Sequence, residues 1–306
     1  MDDASSKVAK ENFMPAKTAA PFAFAALLGG NAALSTGPLF VRMADVGPVA
    51  SGFWRLALAL PILLLFALWE KWRSGASPNW RGAMGLAVIG GLFFASDLAS
   101  WHIGILQTKM ANATLLGNSA SLFMAAATLI AARRMPMRVE SLALLMAVCG
   151  AVMLMRASAQ DGQAALTGDL LCLLAGILYT GYMLTMQRAR GALGPWQVLG
   201  AATAAGALPL LLFAWALGEN VWPNDWQPVL LLALASQIVG QGLLIYALPH
   251  FSALIVGLTL LTQPAMSALI GWVTYGERLG SAELLGAALV AAALVLIRLP
   301  ARSTKR

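Results

Sequence analysis

Apolar runs separated by short polar breaks fill this chain, at about 19–41, 49–69, 82–106, 110–132, 139–156, 167–188, 195–217, 227–248, 252–274 and 280–298. About 20 apolar residues in a helix cross the hydrocarbon core, and backbone facing lipid must be hydrogen-bonded within its own helix. The pattern therefore predicts ten transmembrane helices. The breaks carry turn and charge signals, such as Asp45-Val-Gly-Pro48, Arg133-Arg-Met-Pro136, Gly191-Ala-Leu-Gly-Pro195, Trp222-Pro-Asn-Asp225 and Gly276-Glu-Arg278.

Composition agrees with that reading. Of 306 residues 59% are hydrophobic and 11% charged, whereas a soluble domain carries about 25% charged residues to cover its surface. The net charge of +7 lies in short clusters between apolar runs rather than on a basic face, so a nucleic-acid partner is not expected. Cys149 and Cys172 both fall inside apolar runs and read as small buried hydrophobes, without a disulfide, metal or cofactor. The polar stretch Met1–Lys17 lacks the apolar core and cleavage site of a signal peptide.

Lys and Arg are retained on the cytoplasmic side of a membrane, which orients the ten spans. With the N-terminus inside, fifteen of the twenty basic residues fall on inside segments, among them Lys71, Arg73, Arg133, Arg134, Arg188 and Arg298. Four fall outside (Arg42, Lys109, Arg156, Arg278), and Arg55 lies within the second span. Both termini, 1–18 and 299–306, are expected in the cytoplasm, and no second subunit is expected.

The two halves share ordered polar marks. Trp101-His-Ile-Gly-Ile-Leu-Gln-Thr-Lys-Met110 parallels Leu244-Ile-Tyr-Ala-Leu-Pro-His-Phe-Ser-Ala253, and Glu140 with Arg156 parallels Glu283 with Arg298, at an offset of about 142–143 residues. A unit of five spans starts on one side and ends on the other, so its second copy is inverted. The expected fold is all-α: ten helices in two inverted five-helix repeats, 19–156 and 167–298, around a central cavity. Inverted repeats are a common plan of secondary transporters, with substrate held between the halves near the midplane.

Gly29-Gly-Asn31, Phe53-Trp-Arg55, Gln263-Pro264 and, most specifically, the turn Tyr275-Gly-Glu-Arg-Leu279 with Gly286 beyond it resemble the drug/metabolite transporter superfamily. Within it, residues 20–298 are most similar to ten-helix EamA-type exporters of the YddG amino-acid type. The resemblance implies export of amino acids or similar small metabolites from a bacterial inner membrane. The corresponding turn of the first half, Arg134-Met-Pro-Met137, lacks the Gly-Glu pair, so a gating role for Glu277 does not extend to that half.

Ionisable residues inside a bilayer are expensive and are functional candidates by default. Asp97 lies within the third span with Trp101 one turn on, so a carboxylate and an indole share a face that suits an ammonium group. Arg55 reads either as an anchor near the outer end of its span or as a substrate contact. Asn31, Asn112, Asn118, Ser119, Tyr179, Tyr182, Gln237, Gln241, Tyr246 and Gln263 mark spans one, four, six, eight and nine. With Asp97 and Trp101 these are the candidate substrate-binding residues, although polar side chains also simply join helices. Pro61, Pro209, Pro249 and Pro264 are candidate kinks, and Pro264 a candidate hinge.

The chain lacks a His-Glu-x-x-His run or a second intramembrane carboxylate, which argues against an intramembrane enzyme. Midplane Lys or Arg suited to a phosphorylated substrate is also missing from the spans. Small relatives that export cationic drugs carry a Glu in the first span where this chain has Asn31. Neutral or zwitterionic substrates are expected, with a multidrug exporter of cations as the alternative. Asp97 is the one titratable candidate for proton coupling; without it, facilitated diffusion remains.

Overall fold

The computed structural model describes residues 21–74, 79–131, 135–190, 192–247 and 262–296, together with Arg133 and Thr259. Both predicted tails, Pro249 and the start of the ninth predicted span lie outside the described residues, as does the side chain of Tyr246. Every regular element among the described residues is a helix, without a strand. In chain order the helices are α1 (Pro21–Ser35), α2 (Gly37–Met43), α3 (Pro48–Ser74), α4 (Trp80–Gln107), α5 (Met110–Gly117), α6 (Ala120–Ala131), α7 (Arg138–Asp161), α8 (Gln163–Ala189), α9 (Pro195–Ala216) and α10 (Gln227–Leu232). A π-helical stretch (Ala233–Gly240) joins α10 to α11 (Gln241–Ala247), and α12 (Thr262–Tyr275) and α13 (Ser281–Leu296) follow.

Seven helical stretches among these residues are long and apolar enough to cross a membrane. Their outward faces remain apolar: Leu65 on α3, Leu145 on α7 and Leu208 on α9 are each 60% exposed or more. Water would not tolerate such faces, whereas lipid chains do. Cys172 is buried as expected, but Cys149 lies on the exposed face of α7. In lipid the exterior is as apolar as the interior, so hydrophobicity does not sort a small thiol inward.

Three interruptions break the uniform helices predicted from the sequence. The first span breaks between α1 and α2 at Thr36, whose hydroxyl donates to the Ala33 carbonyl at 2.6 Å ahead of Gly37 and Pro38. The fourth breaks between α5 and α6, where the Ser119 hydroxyl donates to the Leu116 carbonyl at 2.5 Å. Thr180 of α8 donates to the Ala120 carbonyl at 3.1 Å, so a neighbouring side chain engages the interrupted backbone. The third is the π-helical stretch of the eighth span, which carries Ser236 and Gln237. Pro61 and Pro209, by contrast, lie inside the unbroken helices α3 and α9.

Helix neighbours follow a two-fold plan. Helix α4 packs along α8, as α11 does along α1; α3 packs along α9, α5 along α12, and α7 along α13. Each is the pairing expected when spans five apart exchange places. The α3–α9 pair shows its direction directly. Glu219, just past the C-terminus of α9, accepts the N–H groups of Val49 (3.2 Å) and Ala50 (2.8 Å) at the start of α3. Glu70, near the C-terminus of α3, accepts the N–H of Gln197 at the start of α9 at 3.0 Å. These helices therefore run antiparallel, each N-terminus capped by a carboxylate from the other. Glycine precedes the proline at both starts, and a Cβ on Gly47 or Gly194 would collide with the Glu219 or Glu70 carboxylate.

Glu140 and Glu283, paired in sequence by their spacing, have matching local roles. Glu140 accepts the Met137 N–H at 2.8 Å and Glu283 the Gly280 N–H at 2.7 Å, each closing the first turn of its own helix. Glu140→Ala is expected to lower stability by about 1 kcal/mol. Glu283→Ala is expected to cost more, because Glu283 also accepts Lys109 Nζ at 2.7 and 2.8 Å. Denaturant unfolding in detergent micelles measures both, and equal losses would contradict the added role of Glu283. Helices α7 and α13 cross where Gly150 meets Gly286, a Cβ on Gly150 coming within 2.6 Å of the Gly286 carbonyl oxygen.

The loop after α2 is tied across the same end of the α3–α9 pair. Asp45 accepts the N–H groups of Asp225 (3.1 Å) and Asn224 (2.8 Å), and these bonds, Asp225 foremost, hold its carboxyl below the usual carboxylate range. Trp54 donates its indole N–H to the Val221 carbonyl at 2.7 Å and packs against the rings of Trp222 and Trp226.

Candidate functional site

The predicted polar residues separate into three groups. The central group surrounds Arg55. Arg55 is 4% exposed, so it does not snorkel to an interface. Instead Nε donates to Gln237 Oε1 at 3.1 Å, and Gln237 Nε2 lies 3.5 Å from Thr203 Oγ1, which orients the amide. The guanidinium carbon stands 6.0 Å from the Phe94 ring centroid. Phe94 stacks on Tyr182 at 4.7 Å, and Tyr182 meets Tyr179 at 5.4 Å. Asp97, three residues beyond Phe94 on α4 and 8% exposed, lies within electrostatic reach of Arg55 and of both tyrosines. Gln241 sits beside the Tyr179 hydroxyl.

This group draws on α3, α4 and α8, on α9 and on the π-helical stretch, thus on both halves of the chain. Five-residue hydrogen-bond spacing widens a helix and re-aims its side chains, and such stretches recur at functional sites. Here it carries Gln237 to Arg55. Phe94 and Thr203 escaped the sequence reading because a Phe and a Thr in apolar spans are ordinary lipid-facing or packing residues.

A second group lies where the first, third, fourth and ninth spans meet. Gln263 Nε2 donates to Asn31 Oδ1 at 2.7 Å, and Asn31 Nδ2 is buried without a hydrogen-bond partner among the described residues. The Trp101 indole N–H donates to the Ala113 carbonyl at 3.2 Å, and its ring lies against Gly37 and Gly117 beside the helix breaks. Asn118 and Ser119 form the break itself. Pro264 stands one residue beyond Gln263 in α12. Thus Trp101 and Asp97 share α4 but meet different neighbours, and Trp101 serves the junction of the interrupted helices.

The third group lies near the Gln107 end of α4. Asn112 Nδ2 approaches Ser158 Oγ at 3.3 Å, and Ser158 and Thr108 donate to Asp169 at 2.6 and 2.5 Å. Asn112 is thereby part of a buried interhelical network. Beside it Arg42 spans three partners: Nη1 pairs with Glu277 at 2.5 Å, Nε donates to the Ile105 carbonyl at 3.0 Å and Nη2 to the Thr108 carbonyl at 2.5 Å. Gly276 has φ +67°, a left-handed helix end that returns the chain so Glu277 also accepts the Met110 N–H at 2.9 Å. Lys109 pairs with Glu283 (2.7 Å) and Asp161 (3.0 Å). Two of the four cations that the sequence places outside are therefore ion-paired.

A sequence model of the EamA-like transporter family matches residues 21–156 and again 166–299. The chain is 27% identical over 249 residues to the threonine/homoserine exporters RhtA of Salmonella typhimurium (strain SL1344) and Escherichia coli (strain K12), covering 80% of each chain. A solved crystal structure aligns with a TM-score of 0.60 at 17% identity, covering 90% of this chain and 95% of the other, a likeness of fold alone.

Proposed function

Because this chain belongs to the EamA-like transporter family, we propose that it is a ten-helix secondary transporter that exports neutral or aromatic amino acids, or similar small metabolites, by alternating access. Two inverted five-helix repeats act as the moving halves, in a bacterial inner membrane with both termini cytoplasmic. The observation that carries the reading is the buried polar group around Arg55 and Asp97, assembled from both repeats. Packing alone does not require a cation, a carboxylate and three stacked or tilted rings at membrane depth, where each charge is costly. Similarity to threonine/homoserine exporters supports amino acids as the cargo class. Asp97, Tyr179, Tyr182, Gln237 and Gln241 line the substrate position, and Asn31 and Gln263 border it through the broken first helix.

The test is transport by the purified full chain in liposomes. A panel of threonine, homoserine, leucine and phenylalanine is loaded inside, and efflux is followed with and without a proton gradient. Saturable efflux of at least one amino acid is expected. Movement of a cationic dye with no amino-acid efflux would overturn the proposal in favour of the multidrug alternative.

A further inference from the structure

Arg55 and Asp97 present a cation and a carboxylate, each more than nine-tenths buried, that do not satisfy one another. They feel each other electrostatically yet stand beyond ion-pair distance. Among the described residues Arg55 donates one hydrogen bond, from Nε to Gln237. Its two terminal nitrogens donate none, and Asp97 accepts none. Lone buried charges are strongly disfavoured, and each seeks a partner of opposite sign. A small molecule carrying both charges would match each of them.

We propose that Arg55 and Asp97 form a two-point clamp for a zwitterion, Arg55 taking the substrate carboxylate and Asp97 its ammonium group. This rests on the amino-acid reading above and gives it a recognition rule. The guanidinium fork suits a carboxylate, and the single bond at Nε leaves its outer edge for that contact. Gln237 is the positioning residue: its oxygen holds Nε while its amide is oriented by Thr203. Phe94 backs the guanidinium and, with Tyr182 and Tyr179, makes a continuous aromatic wall along which the substrate side chain lies. An amine fills only the Asp97 half and a carboxylic acid only the Arg55 half, so each leaves one buried charge unmatched. A site with unmet buried polar groups rejects such analogues strongly.

The experiment measures competition in liposomes containing the full chain. For threonine the analogues are 1-amino-2-propanol, which lacks the carboxylate, and 3-hydroxybutyrate, which lacks the ammonium. For leucine they are isopentylamine and 4-methylpentanoate. Wild type is expected to carry threonine or leucine, with neither analogue competing at about 100-fold excess. Arg55→Gln is expected to raise KM about tenfold or more and to admit the amine as a competitor. Asp97→Asn is expected to raise KM similarly and to admit the acid instead. Arg55→Lys and Asp97→Glu, which keep the charges, are expected to retain analogue rejection, and they stand in for any variant that fails to reconstitute. Unchanged KM, or variants that shift without this crossed change in selectivity, overturn the clamp. If wild type carries neither amino acid, the amino-acid reading itself fails.

Discussion

Glu277→Gln is expected to destabilise the protein by about 2–3 kcal/mol and to loosen the end of the bundle at which α2, α4 and α12 meet. Removing one partner of a buried ion pair leaves the other uncompensated, at about 3–5 kcal/mol when burial is complete. Arg42 and Glu277 retain 12% and 16% side-chain exposure, so part of that loss is returned by water. Arg42 keeps the Ile105 and Thr108 carbonyls but loses the anion. The pair joins the first half of the chain to the second, as does Lys109 with Glu283. Under alternating access, opening that end requires both links to break. Glu277→Gln should therefore raise labelling of cysteines placed beside residue 42, and the double variant Arg42→Leu/Glu277→Leu should lose less stability than the sum of the single variants. Additive losses with unchanged labelling would show that the pair neither couples nor restrains the halves.

Gly47→Ala and Gly194→Ala are each expected to cost about 2 kcal/mol, from overpacking and from displacement of a capping carboxylate. A methyl at either position occupies the space of the Glu219 or Glu70 carboxylate. Coupling should be pair-specific. Once Gly47→Ala has displaced Glu219, Glu219→Ala adds little, whereas Glu70→Ala still costs about 1 kcal/mol. The mirror relation should hold for Gly194 with Glu70. Denaturant unfolding in micelles measures both cycles. Additivity within each pair would mean that the reciprocal caps contribute nothing to the antiparallel α3–α9 contact.

These caps record the inverted duplication more plainly than the marks first legible in the chain. Gly47-Pro48 and Gly194-Pro195 stand before matching spans, each with a Glu at the far end of the partner span. That signal was present in the sequence, but a Gly-Pro step reads as an ordinary turn until the carboxylate that fills it is seen. Glu140 and Glu283 were legible by spacing alone, because both act within their own helix turn. Glu219 acts across 170 residues of chain and Glu70 across 127, and local reading has no access to such a pairing.

The candidate site divides along the same line. Asp97, Tyr179, Tyr182 and Gln237 stood out as polar residues in apolar runs, and the structure brings them together around Arg55. Asn112 stood out equally, yet it belongs to the Ser158–Asp169 network. One-dimensional polarity does not distinguish a side chain that meets substrate from one that joins helices, because both avoid lipid for the same energetic reason.

Membrane class and the two-repeat plan followed from the sequence by itself, since hydrocarbon thickness and backbone hydrogen bonding impose run length and duplication leaves its period. Tertiary structure alone decided where the first and fourth predicted spans break, that the eighth predicted span widens into a π-helix, and which of the buried polar groups face one another. Those features depend on contacts between distant helices: the Thr180 hydroxyl on the Ala120 carbonyl, Gln237 on Arg55, Glu277 on Arg42. Their free energies are set by pairing in space, and apolar periodicity along the chain carries no record of the partner.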